Sequence, residues 1–147
     1  MIYIDMDGTI DDFRAWVATK TDDLSGPSIE ATIVKYYQEC YKDPPLIERN
    51  RHLLTDFEDF RILSAIPSTK TLLKYCKAED LDVIMSTLRE NKLAYMERLG
   101  VHRSNVIITN GSKEKKLYAK KGEVLYDDYK KNIDEWISYG GTGVLVE

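Results

Sequence analysis

The feature that most constrains this chain is a series of five short apolar runs set among stretches with helical spacing. The runs are Ile2-Tyr3-Ile4, Val83-Ile84-Met85, Val106-Ile107-Ile108, Val124-Leu125-Tyr126 and Val144-Leu145-Val146. Runs that are apolar on both faces suit strands of a parallel sheet buried between two helical layers. Between the later runs, Leu72, Leu73 and Cys76 form one helical stripe, Leu93, Met96 and Leu99 a second, and Ile133, Trp136 and Ile137 a third. Gly100 stops the second and Gly140-Gly141 the third. The pattern predicts an α/β fold, a Rossmann-like parallel five-stranded sheet flanked by helices.

The gap between the first two runs is too long for one crossover helix. Residues 10–65 are therefore expected to form a small helical cap inserted after strand 1, leaving 1–9 and 66–147 as the core. Phe13, Trp16 and Val17 mark one cap helix. Ile29, Ile33, Tyr37 and Cys40 mark another, with Ser28 as its N-cap. Pro44-Pro45 breaks the pattern, and a third helix is expected from about Leu46 to Phe60. Tyr36, Tyr37 and Tyr41 are read as cap packing.

Charge and cysteine usage exclude several classes. The net charge of −4, from 21 basic and 25 acidic residues, argues against nonspecific binding along nucleic-acid backbones. It leaves room for a local basic pocket, and the dense basic run is Lys113 to Lys121. Cys40 and Cys76 form neither a CxxC pair nor a disulfide framework; both are read as small buried residues in a reducing compartment. No apolar run is long enough for a membrane helix. The first strand occupies the place of a signal peptide, so a cytoplasmic location is expected. His52 and His102 lack suitable partners and are read as surface or structural residues.

The ends of the runs carry the chemistry. Asp5 ends the first, with Asp7 two residues on. Ser86 follows the second, and Asp127-Asp128 ends the fourth. Lys113, Lys115 and Lys116 precede the fourth run; the distance to Tyr118-Ala119 and the next strand favours Lys115. In open α/β sheets the C-terminal strand ends converge on the ligand site. Several carboxylates held ionised in one pocket call for a cation, and hard oxygens without His or Cys favour Mg2+. An aspartate beside a cation and a lysine can accept a phosphoryl group. Phosphate monoesters hydrolyse so slowly that nucleophile, acid/base, metal and lysine must act together.

Asp5-Met6-Asp7-Gly8-Thr9 resembles the DxDGT signature of haloacid dehalogenase superfamily phosphatases. Ser86, the lysine before the fourth run and Asp127-Asp128 resemble that superfamily's second, third and fourth motifs. The resemblance implies Asp5 as nucleophile and metal ligand, and Asp7 as acid/base, with its carbonyl on the metal. It places Gly8, Ser86, Thr87 and Lys115 around the phosphoryl group. Asp128 completes the Mg2+ site and Asp127 supports it. The longer opening through Ile10-Asp11-Asp12-Phe13 is similar to that of 5'(3')-deoxyribonucleotidases, and Phe60-Arg61-Ile62-Leu63 with Ile66-Pro67 resembles the end of their cap. That similarity implies Phe13 in a substrate pocket for a (deoxy)nucleoside monophosphate. The chain departs from the family at the fourth motif, where Tyr126 and Tyr129 flank the aspartates in place of an Ile-Asp-Asp-Arg pattern. The competing expectations are a phosphatase for another small ester or a nucleic-acid end, and a non-catalytic phosphoryl-binding module.

Overall fold

Strand β1 (Ile2–Ile4) sits at the centre of a five-stranded, all-parallel sheet in the order β3-β2-β1-β4-β5. The computed structural model describes all 147 residues. The other strands are β2 (Phe60–Ile66), β3 (Val106–Asn110), β4 (Val124–Asp127) and β5 (Thr142–Leu145). Ile4 lies between Ile62 of β2 and Tyr126 of β4. The chain builds outward from β1 in one direction through β2 and β3, then in the other through β4 and β5. The order reverses between β1 and β4, where open α/β sheets leave a crevice beyond their carboxyl ends. This is the expected Rossmann-like α/β class.

The second strand is not where the apolar runs place it. Val83-Ile84-Met85 belongs to a long helix, α4 (Leu81–Arg98), in which Ile84, Leu88, Lys92, Tyr95 and Met96 are buried. Those positions share one helical face, whereas Val83 is 56% exposed, as a strand buried on both faces would not allow. No Gly or Pro interrupts residues 81–99, and the helix ends only at Gly100, whose φ is +91°. The true second strand, β2, is disguised by polar residues. Arg61 reaches out to Asn105 Oδ1 at 3.1 Å, while Ser64 is fully buried.

The segment between β1 and β2 therefore ends at residue 59, and residues 60–66 belong to the sheet. It contains α1 (Phe13–Ala18), capped by Asp12, whose Oδ1 accepts from Ala15 N at 3.0 Å. Next comes α2 (Gly26–Lys35), which starts at Ser25 with Pro27 in its first turn; Ser28 lies inside the helix and not at its cap. The third element is a 3-10 segment, Glu48–Leu54. Ile33, Val34, Cys40 and Tyr41 pack against Ile66, Leu72, Ile84 and Leu88, so the insertion shares a core with α4.

On the sheet's other side, α5 (Lys130–Ser138) buries Ile133 and Trp136 against Leu63, Ala119 and Leu125. The stripe expected around Leu72 is only a single turn, α3 (Thr69–Leu72). Cys40 is buried, Cys76 half-buried, and both are free thiols. No helix is long and apolar enough to cross a membrane.

Candidate functional site

Asp5 follows β1 directly. Its backbone N–H donates to Tyr126 O at 2.8 Å, which extends the sheet pairing and fixes the carboxylate beside the end of β4. The chain then coils tightly. The amides of Thr9, Ile10 and Asp11 all converge on Met6 O, at 3.2, 2.8 and 3.2 Å. Gly8 donates to Asp11 O at 2.7 Å and has φ +81°. A Cβ at Gly8 would stand 2.3 Å from Asp128 Oδ2, so conformation and crowding both demand glycine. The buried Thr9 hydroxyl lies 3.3 Å from Asp5 Oδ2 and 3.2 Å from Asp128 Oδ1. Its single proton serves one carboxylate at a time.

The end of β4 supplies the opposite wall. Asp127 is fully buried and accepts from Tyr129 N at 2.9 Å and from Asn132 Nδ2 at 3.1 Å. Lys115, on the 3-10 segment Ser112–Tyr118, is itself buried and donates to Asp5 Oδ1 at 2.6 Å and to Asp127 Oδ2 at 3.1 Å. Lys113 is exposed, and the ammonium of Lys116 sits over the Tyr139 ring. The carboxylates of Asp5, Asp127 and Asp128 offer ligand atoms within 4.8 Å of one another, a set that could hold a metal ion.

Electrostatics at this point are strained. Burial, then the charges of Asp128 and Asp7, push the Asp5 carboxyl up to about 6, although Lys115 pulls the other way. Burial and the neighbouring Asp5 raise Asp127 to about 6 as well. Burial also raises Asp128. Burial works against the charge on Lys115, but Asp5 and Asp127 more than offset it and its pKa rises. One lysine faces three carboxylates, and that excess of negative charge is what a hard divalent cation would relieve.

A second buried lysine holds Asp7. Lys92, fully buried on α4, donates to Asp7 Oδ2 at 2.8 Å, Ser64 Oγ at 2.6 Å and Ala65 O at 2.8 Å. Three donors meet three acceptors, which is how a buried ammonium is made tolerable. Its charge also lies 4.2 Å from the Tyr41 ring centroid. Asp11 is fully buried nearby, and neither of its carboxyl oxygens, nor Asp7 Oδ1, has a donor. Burial, then the charge of Asp7, lifts the Asp11 pKa well above the usual carboxylate range.

Ser86 and Thr87 do not reach this cleft. Both lie on α4, where Ser86 is exposed and turns its hydroxyl back to Val83 O at 3.2 Å. Ser64, near the end of β2, takes the strand-end place and lines the cleft with Asp5, Asp7, Lys115, Asp127 and Asp128. Phe13 is half-buried, stacked on Trp16 at 5.7 Å and tilted against Tyr41 at 4.9 Å. It also lines a 320 Å³ cavity together with Asp7, Gly8 and Asp128. Both histidines lie elsewhere: His52 Nδ1 is 2.6 Å from Asp56 Oδ2, and His102 Nδ1 caps a turn at Ser104 N.

Sequence reasoning missed Ser64, Lys92 and Asp11. A signal for Lys92 existed, since it falls eight residues after Ile84 on the apolar face of α4. No protein-family description matches the chain, and no curated protein matches it.

Proposed function

We propose that this protein is a magnesium-dependent phosphomonoesterase of the haloacid dehalogenase type, acting on (deoxy)nucleoside monophosphates. The observation that carries the reading is the 2.6 Å contact of Asp5 Oδ1 with buried Lys115, beside Asp127 and Asp128. In this reading Asp5 attacks the phosphorus while Asp7, having first taken up a proton, gives it to the departing ester oxygen. The P–O ester bond breaks and an aspartyl-phosphate forms on Asp5. Asp7, now ionised, takes a proton from water, whose oxygen attacks the same phosphorus and releases phosphate and free Asp5. Lys115 offsets charge on the phosphoryl oxygens. Ser64, in place of Ser86, accepts from Lys92 and so keeps its own hydroxyl proton for a phosphoryl oxygen.

The donor set fits a hard cation: carboxylate oxygens, with no His or Cys among them. Asp5, Asp128 and the Asp7 carbonyl would hold Mg2+, with Asp127 fixed behind them by Lys115, Asn132 and the Tyr129 amide. Magnesium bound there would offset the negative charge of the carboxylates and the phosphoryl group. Turnover of an aryl phosphate and of deoxynucleoside monophosphates, with and without Mg2+, tests the proposal. Activity that needs the metal and disappears in Asp5→Asn supports it; binding without turnover would favour a phosphoryl-binding module.

A further inference from the structure

Beside the carboxylate cleft opens a second cavity of 660 Å³, large enough for a drug-sized or nucleotide-sized group. The two meet at Ala65 and Ser112, which line both. The cavity wall carries three ammonium groups, Lys70, Lys74 and Lys113, against one carboxylate, Glu30. None of these three lysines forms an ion pair within the protein. A local excess of positive charge in a chain of net charge −4 is the reverse of what composition alone provides.

The groove is also held in shape. Asn110, at the end of β3, accepts from Thr69 N at 2.9 Å and donates to Thr69 Oγ1 at 3.1 Å. The turn that bears Lys70 is thereby tied to the sheet. Lys113 is two residues from Lys115, on the same 3-10 segment that enters the catalytic cleft. Ser68, Thr71 and Ser112 add hydroxyls, so the wall suits an oxyanion better than an apolar ring.

We propose that this groove receives a second phosphate of the substrate, making the preferred substrate a phosphomonoester that bears a further phosphate group. The inference rests on the phosphatase reading, because the scissile group is taken to lie at Asp5. The second phosphate can belong to a small bisphosphate or to the first internucleotide link of a strand end. The two share the same oxyanion chemistry.

The test compares kcat/KM for a deoxynucleoside 5'-monophosphate, the matching 3',5'-bisphosphate and a 5'-phosphorylated dinucleotide. The wild-type protein and a K70Q/K74Q/K113Q variant are both assayed, at low and high salt. The expected result is a preference of about tenfold or more for at least one doubly charged substrate, weakened by salt. That preference should collapse toward unity in the triple variant. Preference for the bisphosphate alone assigns a small substrate; equal or greater preference for the dinucleotide assigns a strand end. No preference in the wild type, or one that survives the triple substitution, overturns the proposal. If neither these substrates nor an aryl phosphate is hydrolysed, the phosphatase reading fails by itself. Calorimetric binding of the bisphosphate to the wild type and the triple variant then decides the groove, with equal affinity counting against it.

Discussion

Lys92 and Asp7 form a 2.8 Å ion pair in which the lysine is wholly buried and the aspartate side chain is 24% exposed. The lysine reaches from α4 under the insertion, and its other two hydrogen bonds go to Ser64 and Ala65 at the end of β2. One ammonium group thus fixes Asp7, the proposed acid/base, relative to the end of β2, the proposed phosphoryl contact. Lys92→Met keeps the length of the side chain and removes the donors. Turnover of an alkyl phosphate, whose leaving oxygen needs a proton, is expected to fall about 100-fold, within the range for general acid catalysis. An activated aryl phosphate should lose much less. Equal losses on both substrates would show that Lys92 only supports the fold.

Asp5→Asn replaces a desolvated carboxylate by a neutral group of the same shape. Turnover should vanish, while the melting temperature in chelator should be no lower than that of the wild type, because Lys115 keeps Asp127 as a partner. Thermal melts and single-turnover assays of the same preparation check both statements. A marked loss of stability would mean that the Asp5–Lys115 pair holds the fold together.

Asp5 and Asp127 both have native pKa values near 6, above the ordinary carboxylate value, so the native state holds protons more tightly than the unfolded chain. Metal-free stability from these groups is present below about pH 4 and is lost as pH rises through about 6. The melting temperature in chelator should therefore gain less, or fall, between pH 5 and pH 7 relative to a variant in which Asp5 and Asp127 are both replaced by asparagine. The stabilisation given by Mg2+ should grow over the same interval, to a few degrees at millimolar metal. A magnesium effect independent of pH would mean that these carboxylates do not bind it.

Ser64→Ala and Ser86→Ala separate the two candidates for the second phosphoryl contact. Ser64→Ala deletes a buried hydroxyl that accepts from Lys92, so kcat/KM should drop by about tenfold or more. Ser86→Ala removes an exposed hydroxyl and should leave kcat/KM within about twofold. Parallel assays of both variants with an aryl phosphate settle the comparison.

These residues also show what the sequence could and could not reveal. Asp5, Asp127 and Asp128 were legible because β1 and β4 are apolar up to the residue where the carboxylates begin. Lys115 was legible from its spacing to β4. The second strand was not, because a three-residue apolar run has no measurable period; only Leu88, Tyr95 and Met96 beyond it reveal the helix. Ser64 was hidden inside a strand whose polar residues break the pattern. Lys92 and Asp11 were hidden for a different reason. Charged side chains are rarely fully buried; Lys92 is tolerated through its three acceptors, whereas burial of Asp11 raises its pKa.

Phe13 occupies two environments at once, and its substitution separates them. Its ring packs against Trp16 and Tyr41, and it also faces the cavity shared with Asp7, Gly8 and Asp128. Packing predicts that Phe13→Ala lowers the melting temperature, since a half-buried aromatic contact is lost. Recognition of a base predicts something further. Stacking of a base on an aromatic ring is worth on the order of 1–3 kcal/mol, and about 1.4 kcal/mol is a tenfold change in affinity. The Michaelis constant for a deoxynucleoside monophosphate should rise about tenfold or more in Phe13→Ala, while that for an aryl phosphate barely changes. The two constants are measured on protein held well below its melting temperature, so that loss of folded material affects both substrates alike. Equal changes would assign Phe13 to packing alone and remove the support it gives to the nucleotidase reading, leaving the phosphatase chemistry at Asp5 untouched.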